Sequence, residues 1–298
     1  MSGSSRDRDA SAPDADRPDL DERVADLAAR LRRLGSLLVA FSGGADSAFL
    51  LAAAARTLGP DAVVAATAVS PSLPASELGA AAAYARGLGV RHLTPGTDEL
   101  GRDGYVANGP DRCFHCKSAL LDALVPLARQ HGLAAIATGT NADDVLARFR
   151  PGIRAAALAG AVTPLADAGL TKADVRAASR RWGLVTADKP AAACLSSRVA
   201  YGVAISPARL GRIEHAESAL RAALRGAGLN VRNLRVRDLG DRARVEVDPP
   251  LVAALERRPD LLAAVAGFGA VEVDPRGFRS GSMNEVLTAS ARGPRSPA

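Results

Sequence analysis

The chain has 298 residues, 48% of them hydrophobic and only 3% aromatic, which suffices for one large core and a second, smaller domain. No apolar run of about 18 residues lacks a charge, Gly or Pro, and the first residues lack a signal-peptide core, which argues against membrane and secreted classes and predicts a cytoplasmic protein. The net charge is +6, with −4 in residues 1–22 and +10 in the remainder, an excess that suits polyanions. Because aromatic rings for base stacking are scarce, phosphorylated small molecules are favoured over RNA.

Apolar strands alternate with helices after a Ser/Asp/Arg/Pro-rich stretch, residues 1–22, that we predict to be a disordered tail. Strands are predicted at 37–41, 62–69, 91–94 and 134–138, and helices at 46–58, 74–88, 112–130 and 171–183. In the last of these helices Thr171 is the expected N-cap, and Gly183 ends it. Residues 23–200 therefore predict an α/β domain, a parallel sheet with helices on both faces.

The pattern changes in residues 201–288. A helix at 207–225 is followed by strands at 233–239 and 242–248, a helix at 250–266 and a strand at 270–273. This order predicts a smaller α+β domain, and residues 289–298 read as a second disordered tail.

Two adjacent glycines follow the first strand. The segment Ser42-Gly43-Gly44-Ala45-Asp46-Ser47 leads from a buried strand into a helix, where backbone N–H groups and the hydroxyls of Ser42 and Ser47 can bind a pyrophosphate group. Asp46 would repel phosphate unless Mg²⁺ lay between them. A plain tight turn is the alternative. The whole string resembles the PP-loop of N-type ATP pyrophosphatases, which implies cleavage of ATP between the α and β phosphates and transfer of AMP to a substrate oxygen.

A second polar loop, Ala137 to Asp144, follows the fourth strand at the same edge of the predicted sheet. Gly139, Asn141 and Asp143 are candidates to line the nucleotide or metal pocket, together with Asp144. A polar turn with an Asx cap explains the same residues equally well.

Three cysteines are an odd number, and two of them are spaced as Cys113-x-x-Cys116, which argues against a disulfide framework. Cys113 and Cys116 are spaced so that both sulfurs could reach one metal, and Cys194 lies in a loop between Lys189 and Arg198, cations that would favour its thiolate. A buried structural thiol or a structural zinc site remains possible. Three thiolates suit a [4Fe-4S] cluster with one open iron, which makes Cys194 a candidate catalytic residue.

Seven segments together resemble the LarE family over about residues 25 to 288: SGGADS, RCFHCK, GTNADD, RPGIRAA, GLTKADVR, KPAAACLSSR and RSGSMNE. The resemblance implies an ATP-dependent sulfur transferase of nickel-pincer nucleotide biosynthesis. Its substrate would be a pyridinium dicarboxylate mononucleotide whose carboxylates are adenylated and converted to thiocarboxylates. Some members donate the sulfur of the cysteine matched by Cys194, whereas Cys113 and Cys116 place this chain with those that hold a cluster. A homo-oligomer is expected.

Alternating side chains on the predicted strand at 233–239 put Arg235 and Arg237 on one face, where two guanidiniums could bind a phosphate; a solvated face is the alternative. The resemblance favours these arginines with Ser197, Arg198 and Glu217 as the substrate pocket, and Glu246 less strongly. Two rival functions stay open, thiolation of tRNA by a PP-loop enzyme and an adenine-nucleotide sensor without enzymatic activity.

Overall fold

Four parallel strands form the larger sheet of the computed structural model, which describes residues 19–147, 150–190 and 193–285. The strands are β1 (Leu37–Ala40), β2 (Val63–Ala66), β3 (Arg91–Leu93) and β4 (Ala135–Thr138), in the order β3-β2-β1-β4. Leu37 pairs with Val63 on one side and with Ala135 on the other. The chain thus leaves β1 toward β2 and later returns to β4, and this reversal beside β1 is where parallel sheets bind ligands at their carboxyl edge.

Alternate residues of β1 face two different hydrophobic cores. Leu37 and Val39 pack in a core with the helix Ala45–Leu58, whereas Leu38 and Ala40 pack with Leu121 and other residues of the helix Arg112–Gln130. Because successive side chains of a strand point to opposite faces, helices must cover both faces of the sheet. The predicted α/β class is confirmed.

The helices of this first domain vary widely in length, and the longer ones carry the apolar faces that cover the sheet. They are α1 (Leu20–Leu34), α2 (Ala45–Leu58), α3 (Ala75–Gly87), α4 (Asp103–Val106), α5 (Arg112–Gln130), α6 (Ala142–Leu146), α7 (Pro151–Leu158), α8 (Pro164–Asp167) and α9 (Lys172–Arg181). Thr171 caps α9 as predicted, by accepting from the Asp174 N–H. Within the described ranges, no helix is long and apolar enough to cross a bilayer.

Helix α1 is the main element that our sequence reading missed. It begins at Leu20, inside the stretch predicted as a tail, where Asp19 accepts a hydrogen bond from the Leu20 N–H. Leu27 and Leu31 are fully buried against α2, although seven of the 15 helix residues are charged and hide the apolar stripe. Residues 1–18 and the tail predicted at 289–298 lie outside the described residues.

The second domain contains helix α10 (Pro207–Gly226) and strands β5 (Leu234–Asp238), β6 (Arg242–Val247) and β7 (Ala270–Val273), in the order β5-β6-β7. β5 and β6 are antiparallel, whereas β6 and β7 are parallel. The helix predicted at 250–266 is wrong as one element: it divides into short helices, α11 (Val252–Glu256) and α12 (Pro259–Leu262), because Pro259 cannot continue a preceding helix.

Candidate functional site

The loop after β1 has the backbone of an anion-binding cradle. Gly43 has a φ of 70°, a conformation that costs glycine nothing, and it turns the chain into α2. No side chain in the described residues caps the amino end of α2, so its first N–H groups are available to a phosphate. The Ser42 and Ser47 hydroxyls are 3.1 Å apart. The structure thus brings together the predicted cradle residues.

Asp46 is held between two groups from distant segments. Its Oδ2 pairs with Lys172 Nζ, and its Oδ1 accepts from Asn141 Nδ2 at 3.3 Å. The Asp46 side chain is 19% exposed, so a cation such as Mg²⁺ could reach it after Lys172 moves. Asp143 is exposed and accepts a hydrogen bond from the Lys172 backbone N–H at 2.8 Å, so it positions the lysine. Asp144 lines the cavity that opens beside the cradle, described below.

Gly139 lies against the start of α2. A Cβ at this position would be 2.7 Å from the backbone nitrogen of Ser47 and 2.9 Å from its Cα. Only glycine allows the loop after β4 to approach the cradle this closely. The prediction that Gly139 borders the nucleotide site is consistent with this packing.

A cavity of about 360 Å³ opens at the carboxyl edge of the sheet. The cradle forms one part of its wall, and the loops that follow β2 and β3 form another. The lining includes Ser42, Gly44, Asp46, Ser47, Thr67, Ser70, Thr97, Glu99, Gly139, Asp144 and Cys194. We call this the nucleotide cavity.

All three cysteines line a second cavity of about 630 Å³, which we call the thiol cavity. Cys113 and Cys116 lie in the first turn of α5, and Cys194 precedes a 3₁₀ turn, Leu195–Arg198. The two cavities meet, because six residues line both: Cys116, Lys117, Leu120, Thr140, Asp144 and Cys194. Cys194 therefore lies at the junction of the two cavities.

Buried hydrogen bonds fix the loop that carries Cys194. The Leu195 N–H donates to the Ser72 carbonyl at 2.9 Å. The Tyr105 hydroxyl bonds both the Ser196 hydroxyl and, at 2.5 Å, the Ser72 hydroxyl. These side chains are almost fully buried, so the loop is joined to the segment after β2 by polar contacts that water cannot replace.

Charge in the thiol cavity is unevenly distributed. Burial, and then the charge of Cys194, raises the pKa of the Cys116 thiol. Burial lowers the pKa of Arg112, but attraction to the sulfurs of Cys194 and Cys113 outweighs it, so this pKa is raised. Burial lowers the pKa of Lys117, whose side chain lines both cavities. Arg112 thus lies where it attracts negative charge on Cys194 and Cys113, and Lys117 acts in the same sense on Cys116.

The expectation that Lys189 and Arg198 face the thiol is wrong. Lys189 Nζ donates to the Gly43 carbonyl at 2.9 Å and pairs with Glu77 at 2.6 Å. Arg198 donates to the Cys194 carbonyl at 2.9 Å and pairs with Glu217 at 2.9 Å. Both cations hold backbone, one at the cradle and the other at the cysteine loop.

The substrate residues predicted from the resemblance fall into two groups. Ser197 and Arg237 line the thiol cavity, Arg198 and Glu217 line a neighbouring cavity, and Arg235 lines both. The buried Arg198–Glu217 pair, whose side chains are 4% and 14% exposed, connects the cysteine loop to α10, and Glu217 also accepts from the Val236 N–H at 3.0 Å. These two residues brace the pocket from behind.

Arg235 and Arg237 are buried by 91% and 95% in the described structure, so the alternative of a solvated strand face is wrong. Arg237 pairs with Glu246 at 2.6 Å and donates to the Ser282 hydroxyl at 3.1 Å, and its Nε has no hydrogen-bond partner among the described residues. Burial, followed by repulsion from Arg198, lowers the pKa of Arg235 to about 10. An anion in the thiol cavity would offset the repulsion from Arg198 and favour the charged form of Arg235.

Within the described ranges, no group of three His, Cys, Asp or Glu side chains is arranged closely enough to hold a metal ion. The cluster predicted on Cys113, Cys116 and Cys194 therefore rests on the donor set, three thiols around one cavity, and not on a preformed geometry.

Sequence reasoning missed Arg112, Lys117, Tyr105 and Lys172 as site residues. The first two flank the Cys113–Cys116 segment directly, and that adjacency was the signal available. Tyr105 and Lys172 reach the site only through tertiary contacts with Ser196 and Asp46, 91 and 126 residues away.

Known proteins give the same assignment as the motifs. No protein-family model matches the chain. It is 39% identical over 274 residues to an uncharacterised protein of Synechocystis sp., covering 90% of this chain and 99% of that one. It is 34% identical over 269 residues to the pyridinium-3,5-bisthiocarboxylic acid mononucleotide synthase of Lactiplantibacillus plantarum, covering 89% of this chain and 95% of the synthase. The chain belongs to the LarE family.

Proposed function

We propose that the chain is an ATP-dependent sulfur transferase that converts the carboxylates of a pyridinium-3,5-dicarboxylate mononucleotide into thiocarboxylates for the nickel-pincer cofactor. The observation that carries the proposal is the junction of two cavities at Cys194. One cavity has a phosphate cradle, and the other has three thiols and two buried arginines. The named synthase relative supports the substrate class.

In the first step a substrate carboxylate oxygen attacks the α-phosphorus of ATP, and pyrophosphate leaves with the electron pair of the broken P–O bond. The cradle N–H groups would hold the β and γ phosphates. Asp46 would hold Mg²⁺, which when bound would supply positive charge to neutralise the leaving pyrophosphate. Arg235 and Arg237 would bind the phosphate of the mononucleotide.

In the second step a sulfur nucleophile attacks the acyl carbon of the adenylate, and AMP leaves with the former carboxylate oxygen. Cys194 would reach this carbon from the junction of the two cavities, and Arg112 would stabilise anionic sulfur beside it. The Tyr105–Ser196 contact holds the loop in place. Two rounds would convert both carboxylates.

We assign Cys113, Cys116 and Cys194 as ligands of a [4Fe-4S] cluster. Three thiols around one cavity fit a cluster that has no fourth protein ligand. When bound, such a cluster would supply inorganic sulfide to the activated carbon, and Cys194 would not be consumed. We also propose that the enzyme is cytoplasmic and forms a homo-oligomer. Light scattering on the purified protein would measure its oligomeric state.

The overall function is tested by measuring its two half-reactions. Purified protein is incubated with ATP, Mg²⁺, labelled sulfide and either the pyridinium mononucleotide or total tRNA. We expect pyrophosphate release and label in thiocarboxylate with the mononucleotide alone. Label in tRNA would transfer the function to RNA thiolation, and ATP binding without pyrophosphate release would indicate a nucleotide sensor.

The cluster is tested by anaerobic reconstitution with iron and sulfide, using wild type and a Cys113→Ala variant. We expect about four irons per wild-type chain and a clear loss in the variant. Equally low iron in both would overturn the cluster. Mass spectrometry after turnover then decides the remaining route, because donation of the protein's own sulfur would leave residue 194 lighter by the mass of H₂S.

A further inference from the structure

Glu99 is a buried carboxylate that the proposed chemistry does not use. It is only 2% exposed and lies at the start of a 3₁₀ turn, Glu99–Gly101, in the segment after β3. Its Oε1 accepts from the Ser70 hydroxyl at 2.5 Å, and its Oε2 accepts from the Thr97 hydroxyl at 2.8 Å. All three side chains line the nucleotide cavity.

Burying this carboxylate is costly, because no Lys, Arg or His in the described residues forms an ion pair with it. Each oxygen already accepts one hydroxyl proton, and each keeps capacity for a second donor. The hydroxyls of Ser70 and Thr97 hold the carboxyl group in a fixed orientation at the cavity wall. A ligand with two adjacent donors would complete its hydrogen bonding.

The position of Glu99 relative to the cradle indicates which part of ATP it meets. The cradle lies at the carboxyl ends of β1 and β4, while Ser70, Thr97 and Glu99 lie beyond β2 and β3, on the other side of β1. The thiol cavity is the space for the second substrate. With the phosphates in the cradle, the nucleoside therefore extends along the carboxyl edge toward Glu99.

Two parts of the nucleoside could reach this side chain, and they differ in hydrogen-bonding pattern. The ribose 2′ and 3′ hydroxyls are two neighbouring donors, which match two acceptor oxygens. The adenine edge offers one donor beside the N1 acceptor, which a carboxylate oxygen would repel. A carboxylate would also repel phosphate, so the phosphates of ATP should bind in the cradle and not beside Glu99.

We propose that Glu99 binds the ribose diol of ATP and so positions the α-phosphate at the junction of the two cavities. This inference rests on the proposed function in so far as ATP is the nucleotide. It assigns Glu99 as a determinant of specificity for ribonucleotides over deoxyribonucleotides.

The wild-type full-length protein provides the first test. Isothermal titration calorimetry compares ATP with 2′,3′-dideoxyATP, which keeps the base and all three phosphates. We expect the analogue to bind roughly tenfold to a hundredfold more weakly, as for loss of a hydrogen bond to a charged acceptor. Equal affinity for the two nucleotides would overturn the proposal without any variant.

A Glu99→Gln variant provides the second test. Its amide presents one acceptor and one donor, so ATP should bind about tenfold more weakly while 2′,3′-dideoxyATP is unaffected. The matched control is Asp98→Asn, the same change at the adjacent exposed residue, whose side chain accepts from the Gly101 N–H at 3.0 Å outside the cavity. This control should discriminate like wild type.

An equal weakening of both nucleotides by Glu99→Gln, or undiminished discrimination, would contradict the ribose assignment. Weakened binding of ATP but not of purine riboside triphosphate would assign Glu99 to the adenine amino group instead and would also overturn it. Absence of any ATP binding by wild type is a different result, because it would reject the proposed function first.

Discussion

The nucleotide cradle and the thiol cavity are built in opposite ways. The cradle is six consecutive residues, Ser42 to Ser47, whose chemistry comes mostly from backbone N–H groups. The thiol cavity assembles residues from six separate segments, around 105–120, 140–144, 150–153, 193–201, 235–237 and 278–284. A site made of backbone can be encoded locally, whereas a site made of buried charges and thiols depends on tertiary packing. The comparison predicts that damage to each region has a different kinetic signature.

The largest effect is expected for Cys194→Ser, which removes the thiol at the junction of the two cavities and leaves the cradle residues 42–47 unchanged. Sulfur transfer should fall below detection, at least about ten-thousandfold, because a hydroxyl neither binds iron well nor donates sulfur. Pyrophosphate release should remain within a few fold of wild type. Mass spectrometry of the product and a pyrophosphate assay measure the two steps. Transfer at the wild-type rate would remove Cys194 from the mechanism.

Asp46→Asn should stop both steps, which is the signature of the cradle. Loss of a charged oxygen ligand for Mg²⁺ should slow pyrophosphate release on the order of a thousandfold, and sulfur transfer must follow it. Asp61→Asn, an exposed carboxylate in a 3₁₀ turn remote from the cradle, is the matched control. If Asp46→Asn still released pyrophosphate but failed in sulfur transfer, it would show the signature of the thiol cavity and contradict this prediction.

The same contrast explains what the sequence could predict. The bounds of α5 and β7 agree with the predicted helix at 112–130 and strand at 270–273, and the cradle lies where its glycines predict it. These features depend on local periodicity and on turn residues. Helix α1 was missed because its charged residues hide a narrow apolar stripe. Features that depend on neighbouring residues could be predicted from the sequence, whereas burial that depends on distant parts of the chain could not.

Charged residues of the thiol cavity show the limit most clearly. Lys189 and Arg198 flank Cys194 in sequence, yet the Lys189 ammonium binds the Gly43 carbonyl, and the Arg198 guanidinium binds the Cys194 carbonyl. Arg112, 82 positions earlier in the chain, is the cation beside the sulfurs. The partners of a long flexible side chain are decided by tertiary geometry, so nearness to Cys194 along the chain does not identify the cations that act on the sulfurs.

Glu217→Ala tests how far the thiol cavity depends on buried charge. The change would leave Arg198 buried without its carboxylate and would remove the acceptor of the Val236 N–H, so the free energy of unfolding should fall by about 3 kcal/mol. Urea denaturation measures this, with Glu272→Ala as control. Glu272 forms a more exposed pair with Arg244 at 2.7 Å, worth less than about 1 kcal/mol. If both variants lost the same unfolding free energy, burial of the ion pair would not explain its contribution to stability.

Gly139→Ala sharpens the comparison from the side of the cradle, with the smallest expected effect. The new Cβ would lie 2.7 Å from the Ser47 nitrogen, so the two loops must separate, at a cost of about 2 kcal/mol in unfolding free energy. ATP binding should weaken with it, because the displaced N–H groups belong to the cradle. The control is Gly211→Ala in α10, where no heavy atom lies within 4 Å and alanine should stabilise the helix. If Gly139→Ala instead bound ATP normally, the cradle would not require close packing of the two loops. The backbone of residues 42–47 would then suffice to bind the phosphates.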